Sequence, residues 1–160
     1  MTDSEKYIRQ VTNPLFFRLF TLKELPMLFL AGVKIKELSP DHAVTTLRLG
    51  YLTKNPFRSV YFACLAMAAE LCPGIMAMMH VHKADPKVSM LVTGLKAEFT
   101  KKATGRIFFT CNDGQKIAGA IAQTQKSGEG VLIEALVVGK DEAGDAVATF
   151  HITWSFRRKG

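Results

Sequence analysis

Between Val60 and Met79 the alternation of apolar and polar positions that marks most of the chain stops, and apolar and small residues follow one another with a single acid, Glu70, in the run. An all-round apolar helix suits a place enclosed by other elements. The pattern predicts a helix from Val60 to Cys72, with Ser59 as its cap. Pro73-Gly74 ends or kinks it, and Ile75 to Met79 is apolar enough to resume a turn.

On both sides of this run the period is two. Val33 to Leu38 and Ala43 to Leu49 read as short strands, and Ser39-Pro40-Asp41-His42 between them has the chemistry of a hairpin turn. Tyr51 to Pro56 is a loop. Val88 to Phe99, Arg106 to Cys111 and the β-branched Val131 to Val138 are further strands. Ala146 to Phe156 alternates most clearly, with Phe150, Ile152, Trp154 and Phe156 facing in and Asp141 to Asp145 as the preceding turn. Asn13-Pro14 opens an N-terminal helix whose Leu15, Phe16, Leu19 and Phe20 share a face, and Pro26 stops or kinks it. Gln115 to Lys126 reads as a smaller helix closed by Ser127-Gly128, with a strand pair as the alternative. The resulting expectation is an α+β domain over residues 1–160, six antiparallel strands wrapped round one long central helix.

Composition narrows the function classes. The chain has 160 residues, 48% hydrophobic and 22% charged, which suits a folded domain with a core of its own. The net charge of +7 favours phosphate-bearing or otherwise anionic partners. The basic residues are dispersed, only Phe156-Arg157-Arg158-Lys159 approaching a cluster, so no nucleic-acid partner is expected. Three cysteines, an odd number, read as buried thiols in a reducing compartment. The polar, acidic start is no signal peptide, and the expected location is cytoplasmic. The central run is long enough, at about 20 residues, to cross a bilayer. An acid in mid-span and strands on both flanks oppose that reading, so no membrane partner is expected.

Chemistry centres on Glu70. Residue types alone leave it open between a rim acid, a paired structural acid and a carboxylate whose burial raises its pKa and makes it a base. Asn55 either satisfies the backbone of its own loop or serves a site, and Tyr61 is either core or site. The unpaired N–H groups at the start of the helix, Ser59 to Phe62, make an oxyanion site available. His80-x-His82 lacks the further ligands of a metal centre, and no metal is expected.

The register of these residues resembles the signature of hotdog-fold thioesterases of the phenylacetyl-CoA thioesterase-like branch. That pattern has an Asn, a His-Gly-Gly beginning six residues later at the head of the hotdog helix, and an acid nine residues after the His. Here Asn55 is followed by Tyr61-Phe62-Ala63 and then by Glu70 at the same intervals. The resemblance implies a hotdog fold with an extra N-terminal helix and an insertion after the fourth strand. It implies hydrolysis of an acyl or aromatic acyl-CoA thioester with no cofactor other than the coenzyme A of the substrate. Glu70 would be base or nucleophile, Asn55 would hold the leaving group or water, the Phe62 N–H would polarise the carbonyl, and Ser89 would orient water. Tyr61 occupies the histidine position. Lys54, Arg58, Lys101 and Arg106 would meet the coenzyme A phosphates. The site would form in a homodimer, or a dimer of dimers. Replacement of His-Gly-Gly by Tyr61-Phe62-Ala63 removes the glycines that let substrate approach the backbone. The alternative is therefore a non-catalytic hotdog protein that holds a fatty acyl or other apolar ligand.

Overall fold

A computed structural model describes residues 2–160. Its strands are β1 (Lys34–Leu38), β2 (Ala43–Arg48), β3 (Val88–Phe99), β4 (Arg106–Cys111), β5 (Val131–Lys140) and β6 (Ala146–Arg158). They form one sheet in the order β1-β2-β4-β5-β6-β3, with every neighbouring pair antiparallel. The inward set on β6 is the one that period-two alternation predicts: Phe150, Ile152, Trp154 and Phe156 are all buried. Their partners on β3, in the order Ala97, Leu95, Val92 and Met90, share that inner face.

The sheet curls round α4 (Phe62–Val81). Ala68, Ala69, Cys72, Met76 and Ala77 are buried against it, so the apolarity that is also long enough for a membrane span is here the requirement of an enclosed core helix. Pro73 does not end the helix. It lacks an N–H for the Ala69 carbonyl, but the surrounding sheet holds the turn in place. Thr45 of β2 reaches the same turn, its Oγ1 donating to the Ala68 carbonyl at 2.6 Å and lying 3.2 Å from Cys72 Sγ.

The segment Gly114–Ser127 is a helix, α5, and not the strand pair. It lies where β4 and β5 separate. The side chains of Asp113, just before the helix, and Lys116 take over from the missing strand: Asp113 Oδ2 accepts from the Leu136 N–H at 2.8 Å and Lys116 Nζ donates to the Glu134 carbonyl.

The single N-terminal helix expected from the sequence is instead three. The first, α1 (Asp3–Val11), is started by a capping box between Thr2 and Glu5. The others are α2 (Pro14–Glu24), capped by Asn13 as predicted, and α3 (Pro26–Ala31), which Pro26 opens. Proline is well suited to a first helical position, so Pro26 both stops one helix and starts the next. Helix α1 docks on the end of α4, where Tyr7 lies against the His82 ring at 5.6 Å and Lys83 meets Asp3 at 3.2 Å. Burial pushes the Tyr7 hydroxyl up to about 12.

Candidate active site

The start of α4 is set by a tight loop. Asn55 Oδ1 accepts from the N–H groups of Phe57 (2.9 Å) and Ser59 (3.2 Å), and its Nδ2 donates to Ser59 Oγ at 3.0 Å. Ser59 is therefore spent on Asn55 and does not cap the helix. The cap residue is Tyr61, tied down by its N–H to the Thr53 carbonyl at 2.7 Å. Tyr61 supplies no side-chain cap, which leaves the first amides of the helix, Phe62 and Ala63, free to meet an oxygen. A cavity of about 540 Å³ opens in front of them. Asn55, Tyr61, Phe62, Phe99, Lys101 and Lys102 are among its walls.

Glu70 lies two turns further along α4. Together with Ala63, Ala66 and Met67 it forms a half-buried stripe along the first half of α4. No side chain among the described residues hydrogen-bonds or ion-pairs with it, and burial raises its pKa above the ordinary 4.5. Its surroundings are Gly74, one turn on, and the Trp154 indole of β6. A Cβ placed on Gly74 would stand 3.4 Å from Glu70 Oε1 and 3.5 Å from Trp154 Cζ2. Trp154 is 4% exposed, and its Nε1 has no hydrogen-bond partner among the described residues. Carboxylate and indole thus flank the gap over one glycine.

The structure brings Asn55, Tyr61 and Phe62 together at one mouth but places Glu70 outside its walls. A rise of 1.5 Å per residue separates Phe62 from Glu70 by about 12 Å along the axis. Ser89 is a correction to the expected set. It pairs with Arg157 on the outer face of the sheet, its Oγ donating to the Arg157 carbonyl at 3.0 Å, so it cannot orient water for Glu70 of its own chain. Lys101 is engaged by Asp141 and Asp145 at 2.7 Å each, and Lys54 lies over the Tyr51 ring at 4.7 Å. Lys102, missing from the expected basic set, is the second lysine at the cavity. Trp154 and Gly74 were also missed as neighbours of Glu70. Their place on an inward strand position and one helical turn from the acid was readable, whereas the meeting of strand and helix at that point needed the fold.

The cysteines offer no nucleophile. Cys72 and Cys111 are fully buried, and burial drives their thiols up to about 12 and about 11. His82 is taken by Tyr7, and burial lowers the pKa of His80. No three His, Cys, Asp or Glu side chains among the described residues converge as metal ligands.

Residues 13–156 match the family described as a domain of unknown function, DUF4442. No curated protein matches the chain. Among solved structures, a Pseudomonas aeruginosa protein of unknown function, described as a probable thioesterase, superimposes with a TM-score of 0.78 at 18% identity, over 94% of this chain and 99% of that one. A Chlorobaculum tepidum protein of unknown function gives 0.74 at 16% identity, over 98% and 94%. A Haemophilus influenzae thioesterase gives 0.63 at 12% identity, over 88% of each chain. At these identities the likeness is one of fold: the sheet wrapped round α4 is a thioesterase-type hotdog.

Proposed function

The chain belongs to the DUF4442 family and has a thioesterase-type hotdog fold, and on those premises we propose that it hydrolyses acyl-CoA or a similar acyl thioester in a site shared by two copies of the chain. One observation carries this reading. The free amides at the head of α4 and the unpaired Glu70 are the two groups a thioester hydrolase needs, yet about 12 Å of helix separates them within one chain. One carbonyl group cannot contact both.

Two copies resolve the distance. Ala66 is midway between Phe62 and Glu70 on the half-buried stripe of α4, and it is small. A two-fold axis passing there sets Glu70 of one copy opposite the Phe62 N–H of the other, twice over, as an isologous contact requires. The outer strand β3, whose Leu95 and Phe99 are exposed on the inner face of the sheet, borders the same side.

In the reaction, the Phe62 N–H donates to the thioester oxygen and stabilises the charge that grows there. Glu70 takes a proton from water as the water oxygen bonds to the carbonyl carbon. The carbon–sulfur bond then breaks, and the departing thiolate receives that proton, giving a carboxylic acid and a free thiol. Its raised pKa makes Glu70 a stronger base than an exposed carboxylate. Lys102 lines the mouth, and its charge would meet the phosphates of a coenzyme A thioester entering there.

Complementation tests the shared site. Glu70→Gln removes the base, and Phe62→Pro removes one amide at a position where proline suits a helix. Each variant alone should release no thiol from a panel of short, long and aromatic acyl-CoAs. Mixed and re-assembled in equal amounts, they should recover roughly a quarter of wild-type turnover, because half the dimers carry one intact site of two. No recovery with folded mixed dimers sinks the shared site, and full activity of Glu70→Gln sinks the mechanism. A second reading, a carrier of an apolar acyl ligand, is favoured by the aromatic mouth, where Phe62 lies 4.9 Å from Tyr61 and 6.3 Å from Phe99. Saturable thermal stabilisation without thiol release by the wild type would select it.

A further inference from the structure

On the reading of Glu70 as the group that activates water, we propose that Trp154 positions that water, its Nε1–H donating to the oxygen of a molecule whose own hydrogen is donated to the Glu70 carboxylate.

Three observations converge on this. A buried indole N–H nearly always has a partner, and Trp154 Nε1, in a residue 4% exposed, has none among the described residues. Glu70, the nearest acid on the facing helix, is equally without one. And the two are neighbours across Gly74. The indole atoms closest to a Cβ on that glycine are Cζ2 at 3.5 Å and Cη2 at 3.6 Å, with Glu70 Oε1 at 3.4 Å. Cζ2 is bonded to the carbon that carries Nε1, so the N–H is two bonds from the ring atom nearest this turn of α4.

The two groups do not hydrogen-bond to each other directly, and their chemistry specifies what would link them. The indole only donates and the carboxylate only accepts. Water does both, and the absence of a side chain at Gly74 leaves the approach between them unobstructed. Held in this way, the water has one lone pair occupied by the indole and one hydrogen on Glu70. Its second lone pair is directed at a carbonyl carbon. When Glu70 takes the proton, the new O–C bond forms and the C–S bond breaks as described above, and the indole keeps its hydrogen throughout. Trp154 is thus a positioning residue and transfers nothing.

Trp154 is the only tryptophan in the chain, which makes the test selective. Replacing tryptophan biosynthetically by 3-benzothienylalanine exchanges this one N–H for sulfur and keeps the bicyclic shape. Acyl-CoA turnover should fall about tenfold or more in kcat with KM within about twofold, the loss expected of one hydrogen bond at the reacting water. A kcat within about twofold of wild type, beside an inactive Glu70→Gln, overturns the proposal and leaves the thioesterase reading standing. Nuclear magnetic resonance gives an arm independent of turnover. The single ¹⁵N-indole signal should show a cross-peak to a long-lived water in the wild type. Gly74→Ala, whose methyl fills the gap at ordinary contact distances, should abolish it while the fold is kept. A water cross-peak absent from the wild type, or unchanged in Gly74→Ala, also overturns the proposal. If the wild type hydrolyses no thioester but the cross-peak behaves as stated, the bound water is real and the thioesterase reading is what fails.

Discussion

Thr45→Val removes one oxygen and adds one methyl in a residue with no exposure. On hydrophobicity alone it should stabilise the core. The structure dictates the opposite. Thr45 Oγ1 donates to the Ala68 carbonyl at 2.6 Å, one residue before the carbonyl that Pro73 leaves without a helical partner. Losing a buried hydrogen bond costs about 1 to 1.5 kcal/mol. A methyl cannot approach a carbonyl oxygen so closely, and moving β2 or the helix turn in a packed core costs roughly another 1 kcal/mol. The expected destabilisation is about 2 to 2.5 kcal/mol, or a fall in Tm of roughly 5 to 10 °C at this chain length. Thr45→Ser keeps the donor and loses a buried methyl, worth about 1 kcal/mol. Urea unfolding of the three proteins, with unchanged m-values, measures both differences. A Thr45→Val protein as stable as Thr45→Ser, or more so, refutes the assignment of that hydroxyl as the tie between β2 and the turn of α4 that holds Pro73.

Glu70→Gln should stabilise the protein above neutrality, and chemical denaturation across pH checks it. Below the ordinary carboxyl value of 4.5 both folded and unfolded wild type hold the proton, so the two proteins match. As pH rises from there to the raised folded-state value, only the unfolded chain releases its proton, wild-type stability falls, and the difference persists above; a wild type that gains on Gln with rising pH contradicts the burial of Glu70. A Cβ on Gly114 would collide with the Pro40 and Asp41 carbonyls, the latter at 2.7 Å, so Gly114→Ala should cost about 1 to 3 kcal/mol in thermal unfolding, and a neutral result would disprove the contact between α5 and the first hairpin. Ellman's reagent near pH 8 should find no reactive cysteine in the native protein and three in concentrated guanidinium, since all three are buried and their thiols are raised; rapid native labelling of Cys72 would contradict its environment.

How far the sequence carried depends on which force sets each element. The bounds of β3 and β4 match the expected ones: β3 reads as a long run apolar on both faces before it turns mixed at Lys96 and Glu98, and β4 is buried at every second residue, as a strand covered on one face must be. The ends of α4 did not. Ser59 is the best local capping residue, but Asn55 claims it through the loop, and the helix begins at Phe62. Pro73 is a breaker by local rules, and tertiary burial overrides it. Thr2-Asp3-Ser4-Glu5 carries a readable capping box, yet α1 is mostly polar, and only its docking on His82 and Lys83, through Tyr7 and Asp3, explains its position. In the site, Glu70 stood out as the one acid in an apolar run. Its relation to Trp154 is a strand-to-helix contact, which no one-dimensional spacing encodes.

The enclosure of α4 by strands on both sides of it in sequence has a consequence for synthesis. Only β1 and β2 precede the helix, and β3 to β6 are still to be made when Val81 is added to the growing chain. At ordinary elongation rates, the 20-residue apolar segment waits roughly 4 to 15 seconds for the last strand. During that interval it has the length and character of a nascent membrane anchor. Glu70 and Pro73 sit near its centre and weaken it as an insertion signal. The half-buried acid of the finished helix is thus also the residue that makes the growing segment costly to insert into a bilayer.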